Sequence, residues 1–89
     1  MTAAAGQILI ADDEDGLRWV LEKGFRGVGY TVTAVKDGTT ALREAEATTY
    51  DLVLLDIRMP GIDGLTLLRQ LRERRPDAFV VIMTAHGTM

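Results

Sequence analysis

The chain contains no cysteine, a single histidine and no apolar run approaching the length of a membrane span. The first absence excludes a disulfide framework and thiol chemistry. The second leaves His86 without a second imidazole or a thiolate, which makes a poor transition-metal site. The third excludes a spanning helix, which needs roughly 20 consecutive apolar residues. An excess of basic charge is also missing. Ten Lys and Arg stand against thirteen Asp and Glu, for a formal net charge of −3. That balance argues against the chain itself binding nucleic acid or an anionic membrane surface. The opening Met1-Thr2-Ala3-Ala4-Ala5-Gly6 has neither a basic region nor an apolar core, so no secretory signal is expected and the cytoplasm is inferred. There is no repeat, linker or low-complexity segment. Eighty-nine residues make one small domain, or part of one. A chain of this size buries only about 60 to 65 per cent of its unfolded surface, so modest stability is expected.

What is present is an alternation of short apolar runs and amphipathic stretches. Gln7 to Ala11, Tyr30 to Val35, Asp51 to Leu55 and Phe79 to Met83 read as strands. A first helix is expected over 16–28, with Leu17, Val20, Leu21, Gly24, Phe25 and Val28 on one face. Gly24 on that face suggests a close approach to the sheet. The turn Lys36-Asp37-Gly38 leads to Thr39 as N-cap of a helix over 40–47, with Leu42 and Ala45 its buried residues. A third helix over 64–74 is expected to turn Leu65, Leu68 and Leu71 inward. Its Arg69, Arg72 and Arg74 form a solvated face, and Pro76 follows its end. Strands joined by helices of ten to fifteen residues imply right-handed crossovers and an α/β fold with a doubly wound parallel sheet. A strand order of 2-1-3-4 places strands one and three at the topological switch point, where such sheets bind ligands.

Both of those strands end in carboxylates. Asp12-Asp13-Glu14-Asp15 follows the first, and Asp56 ends the third just before Ile57-Arg58-Met59-Pro60-Gly61. A purely structural reading is available for each. Asp56 can start a turn, and Asp15 can cap a helix whose dipole favours neighbouring acids. Convergence of Asp12, Asp13 and Asp56 adds something a turn does not need: like charges in one pocket call for a cation or a retained proton. Oxygen ligands without His or Cys suit Mg²⁺. A strand-end carboxylate can also serve as a nucleophile and form an acyl phosphate. On this reading Asp56 attacks, while Asp12, Asp13, Asp56 and the backbone carbonyl of Arg58 hold the ion. Thr84, at the end of strand four, is placed to hydrogen-bond a phosphoryl oxygen. No G-x-G-x-x-G follows strand one, which removes a dinucleotide-binding reading.

Asp12-Asp13, the segment Asp56-Ile57-Arg58-Met59-Pro60-Gly61-Ile62-Asp63-Gly64 and Thr84-Ala85 together resemble the receiver domain of two-component response regulators. The resemblance runs from Ile8 onward. In Leu17-Arg18-Trp19-Val20-Leu21-Glu22 and Ile82-Met83-Thr84-Ala85-His86 it is closest to receivers of nitrogen-regulation-type activators, which work with the alternative sigma factor. It implies a flavodoxin-like fold and Mg²⁺-dependent phosphoryl transfer from a sensor histidine kinase to Asp56. It further implies a downstream transcription-activator output in the parent protein. A phosphatase of the haloacid-dehalogenase type also uses a strand-end Asp, but needs a second Asp two residues on, where this chain has Arg58.

The family has five strands and five helices, so residues 1–89 correspond to an incomplete receiver of four β/α units. The lysine that pairs with the phosphoryl group lies at the end of the family's fifth strand. Only Lys23 and Lys36 exist here, and neither matches that position. Two expectations follow. The fourth strand, left as an apolar edge, should drive self-association. The alternative function is a receiver fragment incompetent for phosphorylation that acts as an assembly module.

Overall fold

The computed structural model describes residues 6–83. Seven elements alternate along the chain: β1 (Gln7–Ala11), α1 (Asp15–Gly27), β2 (Thr31–Val35), α2 (Gly38–Ala47), β3 (Leu52–Asp56), α3 (Gly64–Arg74) and β4 (Phe79–Met83). All pairings are parallel, in the order β2-β1-β3-β4 expected from the alternation. The apolar runs form strands because both faces of the sheet are covered at its centre. Along β1 and β3, Leu9, Ala11, Val53 and Leu55 point to the side packed by α2 and α3. Ile8, Ile10 and Leu54 point to the side packed by α1. The period of two thus divides one continuous apolar run between two cores.

The helices correct several expectations. Helix α1 lies over β1 and β2 and seats only Leu21 and Phe25 against the sheet. Phe25 meets Tyr30 edge-on, with ring centroids 5.9 Å apart. Leu17, Val20 and Val28 are exposed instead of packed. The apolar stripe is wider than the strip of sheet beneath it, and Val28 lies past the last helical residue. Nothing approaches within 4 Å of a methyl group built on Gly24, so close packing does not explain that glycine.

Helix α2 starts two residues earlier than expected. Its cap is Asp37, whose carboxylate accepts the Thr40 N–H at 2.7 Å, and not Thr39. Ala41 and Ala45 are buried, while Leu42 is half-buried. Helix α3 is rotated from the expected phase. Leu67 and Leu71, one turn apart, are fully buried, Leu68 is half-buried and Leu65 is 57% exposed. Leu65 sits some 100° round the helix from Gly64, and it is Gly64 that faces the sheet. Arg69, Arg72 and Arg74 are exposed as expected. Arg74 pairs with Glu46 at 2.6 Å, and Arg75 donates to the Ala45 and Glu46 carbonyls, joining the ends of α2 and α3.

Candidate functional site

The ladder register sets the site. Ala11 pairs with Leu55, so Asp12 and Asp56 leave neighbouring strands at the same level. The Asp12 N–H donates to the Val35 carbonyl on the other side, extending the ladder by one residue. Both side chains are nearly inaccessible, Asp12 at 2% and Asp56 at 6%, whereas Asp13 is exposed. One carboxylate oxygen from each of the three lies within 4.8 Å of the others. The convergence expected from the sequence is therefore present.

Each buried carboxylate is held by backbone of its own turn. Asp12 Oδ1 accepts the Glu14 N–H at 2.8 Å, and Asp56 Oδ1 accepts the Arg58 N–H at 3.2 Å. Arg18 reaches back from α1 and donates through Nη1 to the Asp12 backbone carbonyl at 2.8 Å. Its Nη2 pairs with the Asp15 carboxylate. Burial raises the Asp12 carboxyl above its ordinary value, against the pull of the Glu14 amide; Asp56 and Asp13 push it further up, and Arg18 pulls it down. Burial is the main cause of the upward direction, and the neighbouring carboxylates add to it.

The loop from Ile57 to Asp63 is braced from two sides. Gly64 donates its N–H to the Ile57 carbonyl, and a Cβ there would stand 2.7 Å from the Asp56 carbonyl oxygen. Gly38, at the start of α2, backs onto the Ile62 carbonyl, where a Cβ would come within 2.3 Å. Gly61 adopts a positive φ of 82°, which favours glycine. Asp63 caps α3 by accepting the Thr66 N–H at 2.9 Å. The sequence reading placed these residues in a turn and in the receiver-like segment without giving them a bracing role, yet a signal for that role existed. Asp37-Gly38-Thr39-Thr40 and Asp63-Gly64-Leu65-Thr66 are the same Asp-Gly-x-Thr pattern, a capping acid followed by a glycine on which a neighbouring loop can rest.

Among the other candidates, Lys23 stands over the Trp19 ring, 5.2 Å from its centroid, on the exposed side of α1. Lys36 lines an open cleft beside the acids with Asp13, Asp37, Thr39, Thr40, Pro60 and Gly61. Thr84 and His86 lie outside the described residues.

The sequence model of the response regulator receiver domain matches residues 8–89. The chain belongs to that family. Its curated relatives include the DNA-binding transcriptional regulator NtrC of Escherichia coli K12, 44% identical over 84 residues. That match takes in 94% of this receiver and 18% of the relative, so the chain spans under a fifth of the regulator's length. Among solved structures, the receiver is similar to the Thermotoga maritima response regulator TrrA in complex with Mg²⁺-BeF, with TM-score 0.85, 37% identity and coverage of 91% of this chain and 70% of that one. It is similarly close to TrrA in its complex with the histidine kinase ThkA, with TM-score 0.84, 36% identity and coverage of 92% and 71%. The receiver is thus an NtrC-like one by sequence and a flavodoxin-like one by fold. Among its described residues no helix is long and apolar enough to cross a membrane.

Proposed function

We propose that this receiver accepts a phosphoryl group on Asp56 from the phosphohistidine of a sensor histidine kinase, with Mg²⁺ as the cofactor. The observation that carries the proposal is the set of three carboxylate oxygens within 4.8 Å of one another at adjacent strand ends. The donor set fits the ion. It is all oxygen, without His or Cys, as a hard divalent ion prefers. Asp12, Asp13, Asp56 and the Arg58 carbonyl would hold it. Once bound, the ion neutralises charge on the transferring phosphoryl oxygens.

The protein's own groups do the rest. One oxygen of Asp56 is engaged by the Arg58 amide, which leaves the other to attack phosphorus in line. The new O–P bond forms as the P–N bond to the kinase imidazole breaks, and that nitrogen keeps the electron pair. The braced loop holds the nucleophile still, so the rate gain comes mainly from positioning. Thr84 donates its hydroxyl to a phosphoryl oxygen. The product adds about −1.5 to −2 charge at the sheet's end, enough to shift the neighbouring loops between two arrangements.

Residues 1–89 act in this reading as the receiver unit of a cytoplasmic transcription activator and do not contact nucleic acid or membrane. The outer edge of β4 offers Phe79, 70% exposed, and backbone with no strand partner among the described residues to a second copy. Self-association through that edge is part of the proposal, and a monodisperse monomer in light scattering at high concentration would remove it. Incubation with acetyl phosphate and Mg²⁺, read by intact mass, tests the chemistry. One phosphoryl adduct, absent from Asp56→Asn, supports it. A second reading is a scaffold incompetent for phosphotransfer. Failure to form the adduct under forcing conditions would establish it.

A further inference from the structure

Arg18 has no place in the mechanism above, yet its side chain is tied to the site more closely than any other basic side chain among the described residues. Its side chain is 18% exposed, against 89% for its partner Asp15. The exposed partner does not explain why the guanidinium lies inward. The Asp12 carbonyl does: that oxygen belongs to the peptide joining Asp12 to Asp13, and Nη1 donates to it at 2.8 Å. Fixing this peptide plane fixes ψ of Asp12 and the direction of the N–Cα bond from which Asp13 projects. Asp12 is secured independently, through its own N–H to Val35 and its carboxylate to the Glu14 amide. The exposed Asp13 carboxylate has no hydrogen bond of its own among the described residues, so its direction depends on the peptide behind it.

We propose that Arg18 is a positioning residue that aims the Asp13 carboxylate at the cation by holding the Asp12–Asp13 peptide. This rests on the metal site proposed above. The sign of the effect separates the idea from simple electrostatics. A guanidinium near a cation site repels the ion, so removing a mere neighbouring charge would tighten binding. Removing a clamp loosens it.

Mg²⁺ affinity of the full chain, measured by isothermal titration calorimetry well below the melting temperature, provides the test. Arg18→Met is expected to weaken binding about tenfold, the order of effect seen when groups orienting metal ligands are lost. Arg18→Lys, which keeps one donor for the carbonyl, should stay within about threefold of wild type, and Asp15→Asn within about twofold on the same scale. Leu21→Ala loosens α1 against the sheet without touching the clamp. It should lower the melting temperature and leave affinity unchanged. Unchanged or tighter binding by Arg18→Met overturns the proposal. So does Arg18→Lys binding as weakly as Arg18→Met, or Leu21→Ala weakening binding as much as either. Absence of Mg²⁺ binding by the wild-type chain would sink the metal site itself, a result distinct from all of these.

Discussion

Replacing Gly64 by Ala should destabilise the protein, and the same replacement at Gly24 should stabilise it. Both glycines are in helices, so intrinsic propensity alone favours Ala at each, by up to about 1 kcal/mol in a helix interior. The surroundings decide the sign. A Cβ on Gly64 would lie 2.7 Å from the Asp56 carbonyl oxygen and 2.7 Å from the Ile57 Cα. Both are backbone atoms in the segment that carries the nucleophile, and neither can rotate away. Relief requires α3 or the strand end to move by several tenths of an ångström, and overpacking of this kind costs about 1–3 kcal/mol. At Gly24 nothing lies within 4 Å, which leaves the helix-propensity gain of about 0.5–1 kcal/mol unopposed. Because the propensity gain is common to both, the two variants should differ by the overpacking cost, at least about 1 kcal/mol, or roughly 4–8 °C in melting temperature for a domain of this size. Urea denaturation followed by circular dichroism, in EDTA, measures the difference directly. Gly64→Ala matching or exceeding wild type would refute the close contact between α3 and the phosphoacceptor segment. Because that contact braces Asp56, the variant should also slow labelling by acetyl phosphate.

Truncation of Leu67 to Ala should cost about 2–5 kcal/mol, and of Leu65 to Ala within about 0.5 kcal/mol of nothing, since one is fully buried and the other 57% exposed; equal costs in urea melts would show that α3 presents a different face. In metal-free buffer, Asp12→Asn should be more stable than wild type at neutral pH. Asp12 has its folded value raised, so the native state binds the proton more tightly than the unfolded one, and stability from this group is regained as pH falls through the raised value toward 3.8. The gap between variant and wild type should accordingly close on acidification, and a gap independent of pH would refute the crowding of the three acids. Asp13→Asn should also stabilise the metal-free fold by removing one of the charges that press on Asp12; a lower melting temperature in EDTA would contradict this. Asp63→Ala should lower the melting temperature through loss of the Thr66 N–H bond, and because the folded Asp63 carboxyl sits below its ordinary value, the difference from wild type should shrink as pH falls through that lowered value. An unchanged melting temperature at neutral pH would mean the cap contributes nothing.

The order of elements, the parallel sheet and the identity of the acid cluster were legible in the linear chain, because each depends on local periodicity and on which residues end a strand. Four apolar runs bounded by turn residues can pair in few ways once crossovers must be right-handed, and the 2-1-3-4 order among them brings Asp12 beside Asp56. The resemblance of Asp56 to Gly64 to the receiver motif pointed to the same place.

What local pattern could not decide was helix phase and the bracing of the site. An apolar stripe states that a helix packs, but not how much sheet lies beneath it; Leu17, Val20 and Val28 follow the spacing and still face solvent because α1 covers only β1 and β2. Leu65 and Leu67 differ by two positions and look alike in the chain, and only the contact of Gly64 with the Asp56–Ile57 backbone tells which turns inward. Arg18 reads as one more charge on a helix until the turn folds and its guanidinium meets the Asp12 carbonyl. Periodicity is a property of neighbours in sequence, whereas phase, capping and close approach depend on atoms brought in from elsewhere, and those exist only once the chain has folded.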